Sequence, residues 1–268
     1  MSKIITGFWY DIGEREIYED RVSAVHLTTG ANLDLAVAIV ADGVGGERKG
    51  ERAAQLAVDA TLQFLRQSDE ANIPLLLTKA VAIANQTIYE AVKDSEGATS
   101  CTLALAVVHD DKTLYIANVG DSRVYLCRGD KLTQLTIDHT FATVMPWMGK
   151  MSKELARENP RADVLMRALG PRERTPVDIG FYVGTDDQQI AQERGKKGLP
   201  LQPGDSILVC SDGLIKRAPA TKEPYAKEEE IIRALKAQKG ERAARTLVSF
   251  ALGRNADDNV SVALLQKT

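Results

Sequence analysis

The order of apolar patterns along the 268-residue chain predicts an α+β fold, in which layers of antiparallel sheet pack against helices. Short apolar runs bounded by turn residues alternate with segments of helical periodicity. The connections at 109–112 and 120–122 are too short for a crossover helix, so residues 102–127 are expected to form an antiparallel meander. Alternating βαβ units are therefore disfavoured.

Strands are predicted wherever a short apolar run lies between turn residues, because buried strands have this length and composition. They cover residues 35–41, 102–108, 114–119, 123–127, 206–210 and 260–265.

Helices are predicted where apolar side chains recur at spacings of three and four. They cover residues 53–64, 77–91 and 241–252, with a break at 72–74 and Gly253 as a stop signal. The stretches 141–160 and 180–204 offer few apolar residues to anchor them, so they are expected to be irregular surface insertions.

Charge and composition narrow the function. The net charge of −3, from 34 basic and 37 acidic residues, predicts no general attraction to nucleic acid or anionic membranes. No run approaches the roughly 18 apolar residues of a membrane span, and the first residues lack a secretory signal pattern. Cys101, Cys127 and Cys210 lie in strand-like runs and are expected to be buried, reduced thiols in a cytoplasmic protein.

Aspartates stand where several strands are expected to end or begin. They are Asp20, Asp42, Asp121, Asp212 and Asp258. If these side chains converge, their charges repel unless a cation lies between them, and Mg²⁺ or Mn²⁺ prefers such oxygen ligands. A single Asp-Gly pair is more often a simple turn, and spacing alone does not show that the carboxylates meet. The sequence contains no His-x₃-His or Cys-x₂-Cys pattern for zinc.

Taken in order, eight short segments carry a family resemblance. They are Arg15-Glu-Ile-Tyr-Glu-Asp20, Val40-Ala-Asp-Gly-Val-Gly-Gly46, Gly97-Ala-Thr-Ser100, Asn118-Val-Gly-Asp-Ser-Arg123, Leu135-Thr-Ile-Asp-His139, Arg167-Ala-Leu-Gly170, Leu208-Val-Cys-Ser-Asp-Gly213 and Asp257-Asp-Asn-Val260. Their order and intervals resemble those of the metal-dependent, type 2C serine/threonine protein phosphatases of bacterial type. The resemblance runs from about residue 5 to 266.

The resemblance implies a four-layer α-β-β-α sandwich, with two packed antiparallel sheets flanked by helices. It implies one catalytic domain over residues 1–268, with a flap at about 141–160 and an insertion at about 180–204.

The resemblance also implies the roles of individual residues. Asp20, Asp42, Asp212 and Asp258 would hold two Mn²⁺ or Mg²⁺ ions with the carbonyl of Gly43, and Glu19 would act through a water molecule. Arg15 would bind the substrate phosphate, and Asp121 would help to hold a third ion. Two such metals lower the pKa of a shared water for attack on phosphorus.

The implied function is hydrolysis of phosphoserine and phosphothreonine in proteins by a monomer that opposes a Ser/Thr kinase. Two departures from the family leave alternatives open. Val44 replaces the histidine of many eukaryotic members, so the general acid is unassigned, and Tyr18 replaces the usual asparagine. A pseudophosphatase that binds phosphoproteins without turnover is the alternative function, and a phosphatase dedicated to a transcriptional regulator is a third.

Overall fold

The computed structural model describes residues 3–45, 49–93, 99–218 and 221–268, and two five-stranded antiparallel sheets form its centre. The first sheet has the order β1-β12-β11-β8-β9, with β1 Ile4–Asp11, β12 Val260–Lys267, β11 Ser206–Cys210, β8 Arg123–Arg128 and β9 Lys131–Gln134. The second has the order β10-β7-β6-β3-β2, with β10 Leu199–Pro200, β7 Thr113–Val119, β6 Leu103–His109, β3 Asp34–Ala41 and β2 Arg21–Thr28. A short pair, β4 Gly43–Val44 and β5 Ser100–Cys101, adjoins the second sheet. All six predicted strands are confirmed.

Helices cover both outer faces of the sandwich. Their bounds are α1 Lys49–Gln67, α2 Ile73–Val92, α3 Phe141–Trp147, α4 Lys153–Glu158, α5 Gln188–Lys197, α6 Glu228–Ala237 and α7 Gly240–Leu252. Apolar residues of α1 and α2 pack on β3 and β6, whereas those of α6 and α7 pack on β11 and β12. A third cluster of small and branched side chains, including Ala38, Ala106, Val209 and Ala263, fills the space between the sheets. The predicted four-layer α-β-β-α arrangement is confirmed.

The sequence pattern did not predict β1, β2 or α6. β1 and β2 are edge strands, and several of their side chains remain partly exposed. Neither strand is therefore a continuous apolar run in the sequence. Helix α6 begins with three consecutive glutamates and buries only Ile231, Ala234 and Leu235. Its apolar stripe is therefore short.

The expectation of irregular structure at 141–160 and 180–204 is wrong. Helices α3 and α4 occupy most of the first stretch, and Trp147 of α3 lies 6.1 Å from the ring of Tyr182 and 6.3 Å from that of His139. In the second stretch, Phe181 reaches the core between the sheets, and α5 buries Ala191. Both stretches pack against the sandwich through a few well-placed contacts.

Cys101, Cys127 and Cys210 are buried and carry free thiols, as expected from the sequence. Within the described ranges, no helix is long and apolar enough to cross a bilayer.

Candidate metal centre

The register of the strands brings the aspartates to one end of the sandwich. Arg21 of β2 pairs with Ala41 of β3, so Asp20, just before β2, and Asp42, just after β3, lie at the same end of the second sheet. In the first sheet, Cys210 pairs with both Val262 and Arg123. Asp212, Asp258 and Asp121 therefore lie just beyond the matching ends of β11, β12 and β8.

These ends surround a cleft of about 380 Å³. It is lined by Arg15, Glu19, Asp42, Gly43, Val44, Gly45, Asp121, Leu165, Asp212, Asp258 and Asn259. Asp20 lies beneath the cleft, where it is 1% exposed and its Oδ2 accepts a hydrogen bond of 2.7 Å from Ser261. The structure therefore brings together every residue of the site that the resemblance implied. Of the motif residues, Gly46, Gly97 and Ala98 lie outside the described part of the chain.

Glycines follow Asp42 and Asp212 because other backbone segments approach there, not because a turn requires them. A Cβ atom on Gly43 would lie 2.3 Å from the carbonyl oxygen of Gly50, at the start of α1. A Cβ atom on Gly213 would lie 2.1 Å from the carbonyl oxygen of Asn259. Real Cβ atoms do not approach so closely, so each glycine lets a second segment of the site pack against its aspartate.

Burial and mutual repulsion disfavour ionisation of these carboxyl groups. Burial, with repulsion from Asp212 and Asp258, raises the pKa of Asp20 to about 7 despite its bond from Ser261. Burial and repulsion from Asp212 likewise raise the pKa of Asp121 to about 7. Burial and the other four aspartates raise the pKa of Asp42 well above its usual range. A nearby cation would stabilise the charged form of carboxyl groups whose pKa is raised in this way.

Two side-chain cations already lie at the rim of the cleft. Arg15 Nη2 donates to Asp258 Oδ2 at 2.9 Å, and Lys216 Nζ lies 3.2 Å from the same oxygen. The Arg15 side chain is half exposed, and its Nε also donates to the carbonyl of Asp257 at 3.0 Å. One guanidinium edge is thus fixed to the protein, while the side chain stays open to the solvent.

The donor set fits hard divalent cations. Asp212 Oδ1 and Glu19 Oε1 are buried, and within the described chain neither has a hydrogen-bond partner. Carboxylate and carbonyl oxygens without protein donors are the ligands that Mg²⁺ and Mn²⁺ prefer. In the same described ranges, no three Asp, Glu, His or Cys side chains are already gathered tightly around one point.

The residue that fixes the entrance of the cleft was not predicted from the sequence. Asn259 accepts a hydrogen bond of 2.7 Å from Glu19 N, and its Nδ2 donates to the carbonyls of Ile12 and Ile17. It thereby holds the loop that carries Arg15 and Glu19 against β12. The signal available in the sequence was the polar amide of Asn259 between Asp258 and the apolar run of β12.

His139 has a structural role. It is fully buried, its Nδ1 accepts a 3.0 Å hydrogen bond from Gly120 N, and its Nε2 lies 3.3 Å from Asp178 Oδ2. It therefore supports the loop of Asp121 from below. Val44, by contrast, lines the cleft with 45% of its surface exposed and supplies no proton donor.

The fold and the cleft together match the class of phosphatases that the resemblance indicated. The chain belongs to the protein phosphatase 2C family, whose sequence model matches residues 16–250. The serine/threonine phosphatase stp of Listeria innocua is 33% identical over 238 residues, which cover 86% of this chain and 84% of that protein.

Solved structures agree with this membership. The S. agalactiae serine/threonine phosphatase has the same fold, with a TM-score of 0.77 and 23% identity, over 98% of this chain and 99% of that one. The catalytic domain of the phosphatase PstP, solved with two manganese ions, has a TM-score of 0.73 and 26% identity, over 100% of both chains.

Proposed function

We propose that this protein hydrolyses phosphoserine and phosphothreonine in protein substrates, using Mn²⁺ or Mg²⁺ ions held at the aspartate cleft. The observation that carries the proposal is the convergence of Asp20, Asp42, Asp121, Asp212 and Asp258 at one end of the sandwich, next to an exposed arginine. Named serine/threonine phosphatases among its relatives support the same activity. A Ser/Thr kinase is the expected opposing enzyme, and a monomer in the cytoplasm is the expected form.

Each residue has a proposed role. Asp20, Asp42, Asp212 and Asp258 would hold two cations with the carbonyl of Gly43, while Asp121 would contribute to a third. Glu19 would act through a water molecule. Cations bound there would lower the pKa of water and neutralise charge on the phosphoryl group.

Arg15 is proposed to bind the substrate phosphate. Its planar fork can donate two parallel hydrogen bonds to phosphate oxygens, and stabilisation of charge there is the main contribution in phosphoryl transfer. The contact with the carbonyl of Asp257 would keep the fork aimed at the cleft. Asn259, which fixes the same loop, would act as a positioning residue.

The test is hydrolysis of p-nitrophenyl phosphate and of a phosphothreonine peptide with Mn²⁺, with Mg²⁺ and with EDTA. Wild type should release phosphate only with a divalent cation. Asp212→Asn should lower kcat on the order of 100-fold or more, because it removes a charged ligand from the centre. Asp59→Asn is the matched control, since Asp59 is exposed on α1 and does not line the cleft.

Wild-type rates in Asp212→Asn would overturn the assignment of the metal site. Binding of the phosphopeptide, seen by calorimetry, without any phosphate release over hours would instead support a pseudophosphatase. If the protein is an active phosphatase, a panel of phosphoproteins that includes transcriptional regulators would define its substrate.

A further inference from the structure

Lys216 is held in a fixed position four residues after Asp212. Its backbone N–H donates to the carbonyl of Asp212 at 2.7 Å, and its own carbonyl accepts from Tyr225 N at 3.0 Å. Tyr225 is 1% exposed, and its carbonyl accepts from Arg254 at 2.8 Å. The main chain that carries Lys216 is therefore fixed on both sides, and its side chain leaves a rigid segment of the protein.

The ammonium group of Lys216 meets Arg15 at one carboxylate oxygen. Lys216 Nζ lies 3.2 Å from Asp258 Oδ2 and 3.7 Å from Asp257 Oδ1, while Arg15 Nη2 lies 2.9 Å from Asp258 Oδ2. Both nitrogens lie within 3.2 Å of the same oxygen, so they are close enough to contact one phosphate group. Lys216 lines the adjoining cavity, which shares Asp121 and Asp212 with the cleft. The Lys216 side chain remains 39% exposed, so its other N–H donors can reach a ligand.

Arg15 and Lys216 both pair with Asp258, which the proposed metal centre would also use as a ligand. When Asp258 binds a divalent cation, Arg15 and Lys216 lose part of their pairing and remain next to the cleft. A phosphate dianion entering there would restore that pairing to both side chains. Lysine supplies a compact positive charge with three donors, which complements the planar fork of arginine.

On the basis of the proposed function, we infer that Lys216 is a second substrate-binding residue, which contacts the phosphate group together with Arg15. The same position makes Lys216 a competitor of metal ions, because its charge lies beside the carboxylate of Asp258. Lys216 should therefore strengthen binding of phosphate and weaken binding of the cation.

The experiment compares Lys216→Met, which keeps the stem but removes the charge, with Lys216→Arg, which keeps the charge. With p-nitrophenyl phosphate and Mn²⁺, Lys216→Met should raise both KM and the inhibition constant of inorganic phosphate on the order of 10-fold. Lys216→Arg should restore most of this loss. Lys222→Met is the matched control, because Lys222 is exposed in the same segment.

A second measurement does not depend on activity. Calorimetric titration with Mn²⁺ alone should give a lower dissociation constant for Lys216→Met than for wild type, because a competing charge is gone. Circular dichroism and the melting temperature check that the variant is folded. A purely structural ion pair predicts a lower melting temperature, with unchanged phosphate inhibition and weaker or unchanged Mn²⁺ binding, and that result would overturn the inference.

The outcomes separate this inference from the proposed function. If wild type is active but Lys216→Met keeps its KM and phosphate inhibition constant, Lys216 does not bind phosphate although the enzyme assignment stands. If wild type releases no phosphate, the proposed function fails. Weaker binding of inorganic phosphate to Lys216→Met, measured by calorimetry with Mn²⁺, would still support the anion contact in that case.

Discussion

Hydrogen bonds from neighbouring residues hold the acidic residues of the cleft in position. Asp20 depends on Ser261 and the loop of Glu19 depends on Asn259, while Asp42 N donates to Thr102 Oγ1 at 3.0 Å. Thr102 in turn contacts Ser122 Oγ at 2.7 Å. Hydroxyl and amide groups in or next to the ends of the strands therefore hold the carboxylates in place. Such supporting contacts are as necessary to a metal site as the ligands themselves.

His139 gives this support a pH dependence. Burial lowers its pKa in the folded protein below the value of about 6.5 expected for an unfolded chain. Above that pH both states are neutral, so His139 adds no pH dependence. As the pH falls below it, the unfolded chain takes up a proton first, and the folded state loses up to about 1.4 kcal/mol per pH unit until its own lower pKa is reached.

We expect His139→Gln to flatten this dependence. Urea unfolding at pH 7.5, 6.0 and 5.0 should show that wild type loses more stability on acidification than the variant does. The variant should be less stable at pH 7.5, because the bond from Gly120 N is disturbed. Equal slopes in the two proteins would contradict the role assigned to this histidine.

At the scale of elements, α5 shows how a helix can escape prediction from apolar spacing. It buries only Ala191 and Gly195, so it has no stripe of large apolar side chains. Its ends are nevertheless marked in the sequence. Asp187 accepts a hydrogen bond from Ile190 N at 3.1 Å, and Gly198 ends the helix with a φ of 72°. Capping signals would have located this helix where periodicity could not.

Gly195 is the contact that fixes α5 to the sandwich. A Cβ atom there would lie 1.8 Å from the carbonyl oxygen of Ile179, so the helix and the chain before it touch backbone to backbone. Gly195→Ala should lower the free energy of unfolding by about 1–3 kcal/mol, because the helix must move away. Urea unfolding measures this loss.

Lys196→Ala is the control for the preceding change. Lys196 is exposed on α5 and pairs with exposed Glu193, one turn earlier, so its loss should change stability by less than about 0.5 kcal/mol. If the two variants lose the same stability, the close packing of α5 would not be what holds the 180–204 segment.

Across the whole molecule, features marked by a local sequence pattern could be predicted, whereas features that depend on long-range contacts could not. Central strands such as β3 and β6 are buried on both faces, so each is an unbroken apolar run in the sequence. Asp42, Asp121, Asp212 and Asp258 were found because each lies next to such a run, whereas Asp20 precedes β2, which has none. Edge strands β1 and β2 and the position of Lys216 depend on long-range pairing, which no local pattern encodes.

The sandwich therefore gathers like charges at one end, which should cost stability until a cation binds. Asp42 faces four other aspartates, and burial and their repulsion both disfavour its charged form. In metal-free protein at pH 7.5, Asp42→Asn should raise the melting temperature, since an amide of similar shape avoids the cost of burying or protonating this carboxylate on folding.

Binding of Mn²⁺ should reverse this difference and make wild type more stable than Asp42→Asn. Mn²⁺ at 100 times its dissociation constant adds about 2.7 kcal/mol to the folded state of wild type, and Asp42→Asn should gain much less because it lacks a ligand. Thermal scans in EDTA and in Mn²⁺ measure both effects, with Asp59→Asn as the control that should behave like wild type. An Asp42→Asn protein that is less stable in EDTA, or that gains as much from Mn²⁺, would show that Asp42 neither strains the metal-free fold nor binds the cation.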